Sequence, residues 1–207
     1  MDLNIVSIGY LFFKLSPFIL VCFFSLQSVF NQDLKGIIYL VGLLLACFIA
    51  VISGNIPGFE TISKQGLPPS TLINPMCKFI ELSSSGPISK LPLGQTVLSY
   101  TFSYLCYIIL KYKLVNQNIA TFMIFPILIV GDFLWNVSYG CSNFIALMFS
   151  LLIGSAMGIF WAYIVDSTGK VELQLFNGIS NKEICSRPSR TVYRCRVRNG
   201  GTTQIVK

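Results

Sequence analysis

The sequence predicts an all-α integral membrane bundle of about five transmembrane helices, followed by a small basic C-terminal β-hairpin tail. Three observations carry this. Hydrophobic residues fill 54% of the 207 positions and charged residues only 11%, whereas soluble domains carry about 25% charged residues. The apolar residues gather into runs near the ~20 residues a helix needs to cross a bilayer. The uncharged run Asn143 to Val165 ends at Asp166, beyond which the chain turns polar and basic. The resulting plan is two transmembrane helices in 1–53, a Pro/Gly-rich loop in 54–93, three helices in 94–165 and a β tail in 166–207.

Met1 to Tyr10 carries no positive segment and no small-residue cleavage site, so no removed signal peptide is expected. The first span runs from about Ile8 to Phe30 and is interrupted by Lys14 and Pro17. Lys14 lies early enough for its ammonium to reach the interface along its aliphatic stem, the reading preferred here over a buried functional lysine. The turn Asn31 to Gly36 leads to a second span, about Ile37 to Ser53, and is short enough to force an antiparallel helix pair. Prolines and glycines from Gly54 to Pro92 exclude long helices there. Within that loop Phe79, Ile80 and Leu82 would give one short segment an apolar side against the bilayer surface.

The third span, to about Leu110, carries Tyr100, Ser103, Tyr104 and Tyr107, hydroxyls suited to bonding neighbouring helices or lining a polar cavity. Lys111 and Lys113 close it. The fourth, about Ile119 to Trp135, contains Pro126 as a kink and Asp132 near its end. A carboxylate at that depth has two readings: a structural group bonded to Asn136, Ser138 or the next helix, or a site residue together with Asn136. Asn136-Val137-Ser138 matches a glycosylation sequon but hugs the membrane. In the fifth span Gly154, Ser155, Ala156 and Gly158 form a small-residue face for close helix packing, within this chain or in a homo-oligomer. Trp161 and Tyr163 suit the headgroup boundary.

In the tail, Val171 to Phe176 reads as a strand, and the alternation from Thr191 to Arg198 reads as another. Tyr193, Cys195 and Val197 face one way there, and Arg194, Arg196 and Arg198 the other. Asn199-Gly200-Gly201 supplies a hairpin turn before a return strand. With Arg187 and Arg190 just ahead, the arginines form a positive strip. It suits anionic lipid headgroups, nucleic-acid phosphates or an acidic protein patch, and it also fits a plain solvated strand face.

The net charge of +7 is uneven. With five crossings, one face receives the N-terminus, the 54–93 loop and the 136–142 turn, with Lys64, Lys78 and Lys90. The other receives Lys35, Lys111, Lys113 and the basic tail, which the positive-inside rule places in the cytoplasm-equivalent compartment. The chain has no histidine, hence no imidazole base or ligand. No Cys-x-x-Cys pair suggests zinc. No catalytic, cofactor-binding or metal-binding residue is assigned. Cys22, Cys47, Cys106 and Cys141 lie in or beside apolar spans, where free thiols act as small hydrophobes. Cys77, Cys185 and Cys195 lie in aqueous segments, and a Cys185–Cys195 disulfide would staple the tail.

Pro92 to Gln95 resembles the Pro-Ser-Gly-His motif of the type 2 phosphatidic acid phosphatases, with Leu93 for Ser and Gln95 for His. Aligning Gly154 and Gly158 with the glycines after that family's third motif puts Gly140, Ala146 and Ser150 at its Arg, His and Asp positions. The resemblance implies a catalytically degenerate bundle, since the reaction needs a histidine nucleophile. A second set is Gly131 to Asn136, Tyr139 to Asn143, Phe160 to Asp166, Leu175 to Gly178 and Glu183 to Gly200. It resembles uncharacterised multi-span membrane proteins of large double-stranded DNA viruses. That resemblance implies a non-enzymatic structural or minor capsid protein of a virion internal membrane, with the tail meeting capsid, core or other membrane proteins. A channel or transporter using Asp132 is the alternative, and a lipid-phosphatase-like enzyme a third.

Overall fold

A computed structural model of the chain describes residues 5–31, 35–56 and 91–168. The described residues form five long helices: α1 (Ile5–Asn31), α2 (Lys35–Gly54), α3 (Leu93–Lys111), α4 (Ile119–Ser138) and α5 (Phe144–Ser167). A 3-10 turn, Val115–Gln117, joins α3 to α4. All five helices are long and apolar enough to span a membrane, compatible with a multi-pass membrane protein. No strand occurs among the described residues. Residues 57–90 of the expected loop and 169–207 of the expected β tail, its hairpin included, lie outside them, while Asp166 and Ser167 continue α5 and Thr168 caps it.

Each helix follows from local chemistry. α1 runs through Pro17, whose missing N–H leaves the Phe13 carbonyl without its helical donor. The Ser16 hydroxyl donates to that carbonyl at 2.8 Å instead. α3 and α4 end by the same device. A left-handed residue follows the helix, Lys113 (φ 54°) after α3 and Gly140 (φ 64°) after α4. The next backbone N–H then returns to the last turn, Leu114 to the Ile109 carbonyl and Cys141 to the Asn136 carbonyl, both at 2.9 Å. α4 therefore extends past Trp135, where its hydropathy falls, to Ser138. α5 starts at an Asn143 cap whose side chain accepts from the Ile145 N–H at 3.4 Å.

The packing inverts that of a soluble protein. Large apolar side chains such as Phe18, Phe30, Leu44, Phe48, Ile127, Leu152 and Phe160 point outward, while Tyr39, Gln95, Tyr100, Tyr104, Asn136 and Ser150 are buried. This suits a lipid solvent, which rewards apolar surface outside and leaves polar groups to pair inside. α3, the least apolar of the five, is also the most buried.

α3 and α5 run parallel and make the closest helix contact. A Cβ on Gly154 would overlap the Ser99 hydroxyl, and one on Gly158 would lie 2.5 Å from the Tyr100 carbonyl oxygen and 3.1 Å from Ser103 Cβ. At the far end Lys111 pairs with Asp166, a sequence separation of 55 that Ser99/Gly154 and Ser103/Gly158 share. Small residues every fourth position thus let the two backbones approach along their whole length. The expected face is narrower than the sequence suggested: Gly154 and Gly158 are buried, Ser155 is half-buried and Ala156 is exposed. Because α3 occupies this face, it is not free for a second copy.

α2 docks against the same pair. Tyr39 lies fully buried among Phe24, Tyr100 and Tyr104, with ring centroids 5.1–5.7 Å apart. Its hydroxyl bonds Thr101 Oγ1 at 2.6 Å, and the Tyr100 hydroxyl donates to the Tyr39 carbonyl at 3.3 Å. Trp161, half-buried near the end of α5, packs against the start of α2. Its indole N–H donates to the Ile38 carbonyl at 3.0 Å and its ring fills the space over Gly42. Tyr163 does point outward.

Candidate functional site

The polar side chains that the fold gathers lie where α1 meets α4. The Phe13 ring of α1 lies directly over Gly131 of α4. With α1 held close, Lys14 reaches α4 and donates from Nζ to Asn136 Oδ1 at 3.0 Å. Asn136, fully buried, turns its amide nitrogen back to the Asp132 carbonyl oxygen at 2.7 Å. Asp132 is buried one turn deeper and interacts electrostatically with Lys14. The half-buried lysine therefore points into the bundle rather than simply along its surface to the interface. Phe13 and Trp135 cover the crossing with ring centroids 6.4 Å apart, and Tyr139 stacks on Trp135 at 5.0 Å.

The Asn136 amide thus links the Lys14 ammonium on α1 to the Asp132 backbone carbonyl on α4 in a low-dielectric surround. A buried polar group held this way is costly to leave without its partner. Asp132 is the buried carboxylic residue of this cluster, one helical turn before Asn136.

A second polar group lies on α3 and α5. Gln95 is fully buried, and neither its amide nitrogen nor its carbonyl oxygen has a hydrogen-bond partner. Thr96 Oγ1, the Tyr104 hydroxyl and Ser150 Oγ are likewise buried and unpartnered. Carrying the α3/α5 register one turn back from Ser99 and Gly154 sets Ser150 opposite Gln95. Phe102 stacks on Phe125 across α3 and α4 at 6.0 Å. Counting back along α3 and onward along antiparallel α4 brings Gln95 to the depth of Asp132. Lys14, Gln95, Asp132, Asn136 and Ser150 thus come from four helices into one end of the bundle.

Of these residues the sequence pointed to Asp132 and Asn136, while Lys14, Gln95 and Ser150 gain their place only from packing. The available signal for the last two was the four-residue spacing of Gln95, Ser99 and Ser103 and of Ser150, Gly154 and Gly158. No group of three or more potential metal-ligating side chains occurs among the described residues.

At the other end of α3 and α5, Asp166 pairs with Lys111 and accepts from the Tyr112 hydroxyl at 3.0 Å. This clasp stands two residues before the described chain ends at Thr168. Arg187, Arg190, Arg194, Arg196 and Arg198, and the expected Cys185–Cys195 bridge, lie outside the described residues. Cys22, Cys47 and Cys106 are free thiols. Cys141 departs from the expectation of a free thiol: it is disulfide-bonded. Its position in the α4–α5 turn, outside both helices, removes it from the apolar interior that would keep a thiol unreactive. No protein family, curated protein or solved structure matches this chain.

Proposed function

We propose that this chain is a non-enzymatic structural membrane protein, a multi-pass anchor in the internal membrane of a large DNA virus. Its basic tail contacts capsid, core or other membrane proteins, or the phosphates of anionic lipid or nucleic acid. The observation that carries the anchor reading is the α3/α5 zipper. Small residues lock the two helices along their length, and the Lys111–Asp166–Tyr112 clasp closes them immediately ahead of the tail. A tail leaving such a clasp starts from a fixed point, which suits a tether that must resist pulling. The viral setting is supported by the sequence resemblance alone. The missing histidine argues against the phosphatase-type reaction.

Location tests the proposal. Purified particles of the virus encoding this chain should contain it, with a tail epitope shielded from protease until mild detergent opens the shell. Absence from particles, with the protein confined to a host membrane, overturns the viral structural reading.

One observation favours a channel or transporter as the second reading. Gln95, Thr96 and Ser150 are buried without partners near the depth of Asp132, the kind of polar interior that marks solute paths. Ion flux into liposomes that is lost in Asp132→Asn would establish it in place of the anchor.

A further inference from the structure

We infer that Gln95, Thr96 and Ser150 form a binding site for one small uncharged solute bearing hydroxyl or amide groups, held between the start of α3 and the second turn of α5. The site stands on the packing of these two helices. It goes beyond the anchor reading, depends on neither the tail nor the viral setting, and holds whether or not the solute crosses the membrane.

Register builds the site. Gln95, Ser99 and Ser103 stand four residues apart on α3, as do Ser150, Gly154 and Gly158 on α5. A Cβ on Gly154 would meet the Ser99 hydroxyl and the Thr96 carbonyl. One turn earlier on α5, Ser150 therefore faces the Gln95–Thr96 end of α3. All three residues are fully buried. α1 passes the same end, since a Cβ on Gly94 would lie 3.4 Å from Pro17 Cγ.

The neighbouring hydroxyls are satisfied: Ser16 donates to the Phe13 carbonyl at 2.8 Å and Ser99 to the Thr96 carbonyl at 3.1 Å. Four polar atoms are not. Both amide atoms of Gln95, Thr96 Oγ1 and Ser150 Oγ have no hydrogen-bond partner. Buried polar groups in folded proteins are almost always bonded to something. An amide and two hydroxyls gathered at one helix contact thus make one side of a hydrogen-bonded complex, and a ligand supplies the other.

The chemistry of the three side chains selects that ligand. The amide offers two N–H donors and a carbonyl with two lone pairs, and each hydroxyl both donates and accepts. A complementary solute presents donors and acceptors on adjacent atoms, as a polyol or a primary amide does. None of the three side chains ionises, so an ion would lose its hydration there without meeting a full countercharge. The Lys14 ammonium at this end of the bundle is engaged with Asn136. Gln95 is the third residue of α3 and Ser150 the seventh of α5, which sets the site within about 9 Å of the helix starts. Solute arrives from the face on which α3 and α5 begin.

The test uses the full chain in lipid nanodiscs, with saturation-transfer NMR reporting solute contact. Glycerol and acetamide are the uncharged probes, and acetate and methylammonium are charged probes of similar size. A saturable signal from glycerol or acetamide is expected, with neither ion competing. Ser150→Ala should weaken this binding about 2- to 10-fold, the loss of one hydrogen bond. Gln95→Met should abolish it, and Gly9→Ala, where a Cβ meets nothing within 4 Å, should leave it unchanged. Bound solute should raise the unfolding temperature of the unaltered chain and not that of Gln95→Met. No saturable signal from either uncharged probe overturns the proposal, and a fall in the stability of Gln95→Met would then assign the site to ordered water. Binding that survives Gln95→Met, or an ion that binds as well as the uncharged probes, overturns it too. The two variants are read separately, so the loss of one to misfolding leaves the other decisive. None of these outcomes bears on whether particles contain the chain, the measurement that decides the anchor reading.

Discussion

Gly154 rests against Ser99 so closely that a methyl group at 154 would overlap the Ser99 hydroxyl and stand 2.5 Å from the Thr96 carbonyl oxygen. Backbone atoms cannot swing away as a long side chain can. The missing side chains at Gly154 and, one turn on, Gly158 therefore let α3 and α5 approach this closely.

Gly154→Val should lower stability by about 1–3 kcal/mol, the usual cost of overpacking a fitted contact. Thermal unfolding in detergent measures it. Gly9→Ala is the control, because a Cβ there meets nothing within 4 Å. Equal behaviour of the two variants would mean that α3 and α5 are not packed as described.

Lys14 and Asn136 should be energetically coupled. Hydrogen bonds to charged groups contribute roughly 1.5–3 kcal/mol when buried. Lys14→Met and Asn136→Leu should each destabilise, and the double variant should lose less than their sum. Strict additivity would show that the bond at 3.0 Å contributes nothing.

Gln95→Met should raise stability by about 1–2 kcal/mol, since it removes a buried amide that bonds no protein group. The volume changes little, so the helices need not shift. A fall in stability instead would mean that ordered water or another solute serves the amide, and would strengthen the transport reading.

Asp166→Leu should loosen the end of the zipper more than Lys111→Met does, because Asp166 holds both Lys111 and the Tyr112 hydroxyl. Protease release of the tail from reconstituted membranes gives the readout. Raised salt should weaken the contribution of the exposed Lys111 and spare that of Tyr112. The reverse order of the two variants would remove the clasp from the account of how the tail is held.

Much of this architecture is legible in the chain. Five apolar runs, each near bilayer length, needed no tertiary information, and neither did the short turn that forces α1 and α2 antiparallel. Helix ends were legible only to within a few residues. α4 outruns its apolar stretch because Gly140 closes it through backbone bonds, and hydropathy carries no record of those. Trp161 illustrates a different limit. An indole near the end of an apolar run suits the headgroup region equally well, and only the glycine on α2 opposite it draws it into the bundle.

The candidate site divides in the same way. Asp132 stands out in any apolar run because a carboxylate there is costly, and Asn136 follows one turn later on the same face. Lys14 is 122 positions away from Asn136, and no local pattern connects them. Solvent preference alone thus settled what each segment is: which stretches seek lipid, which seek water, and which ionisable groups are out of place. Contact settled which helix stands beside which, since every apolar helix satisfies lipid equally and the missing side chains of Gly36, Gly154 and Gly158 let particular backbones come close.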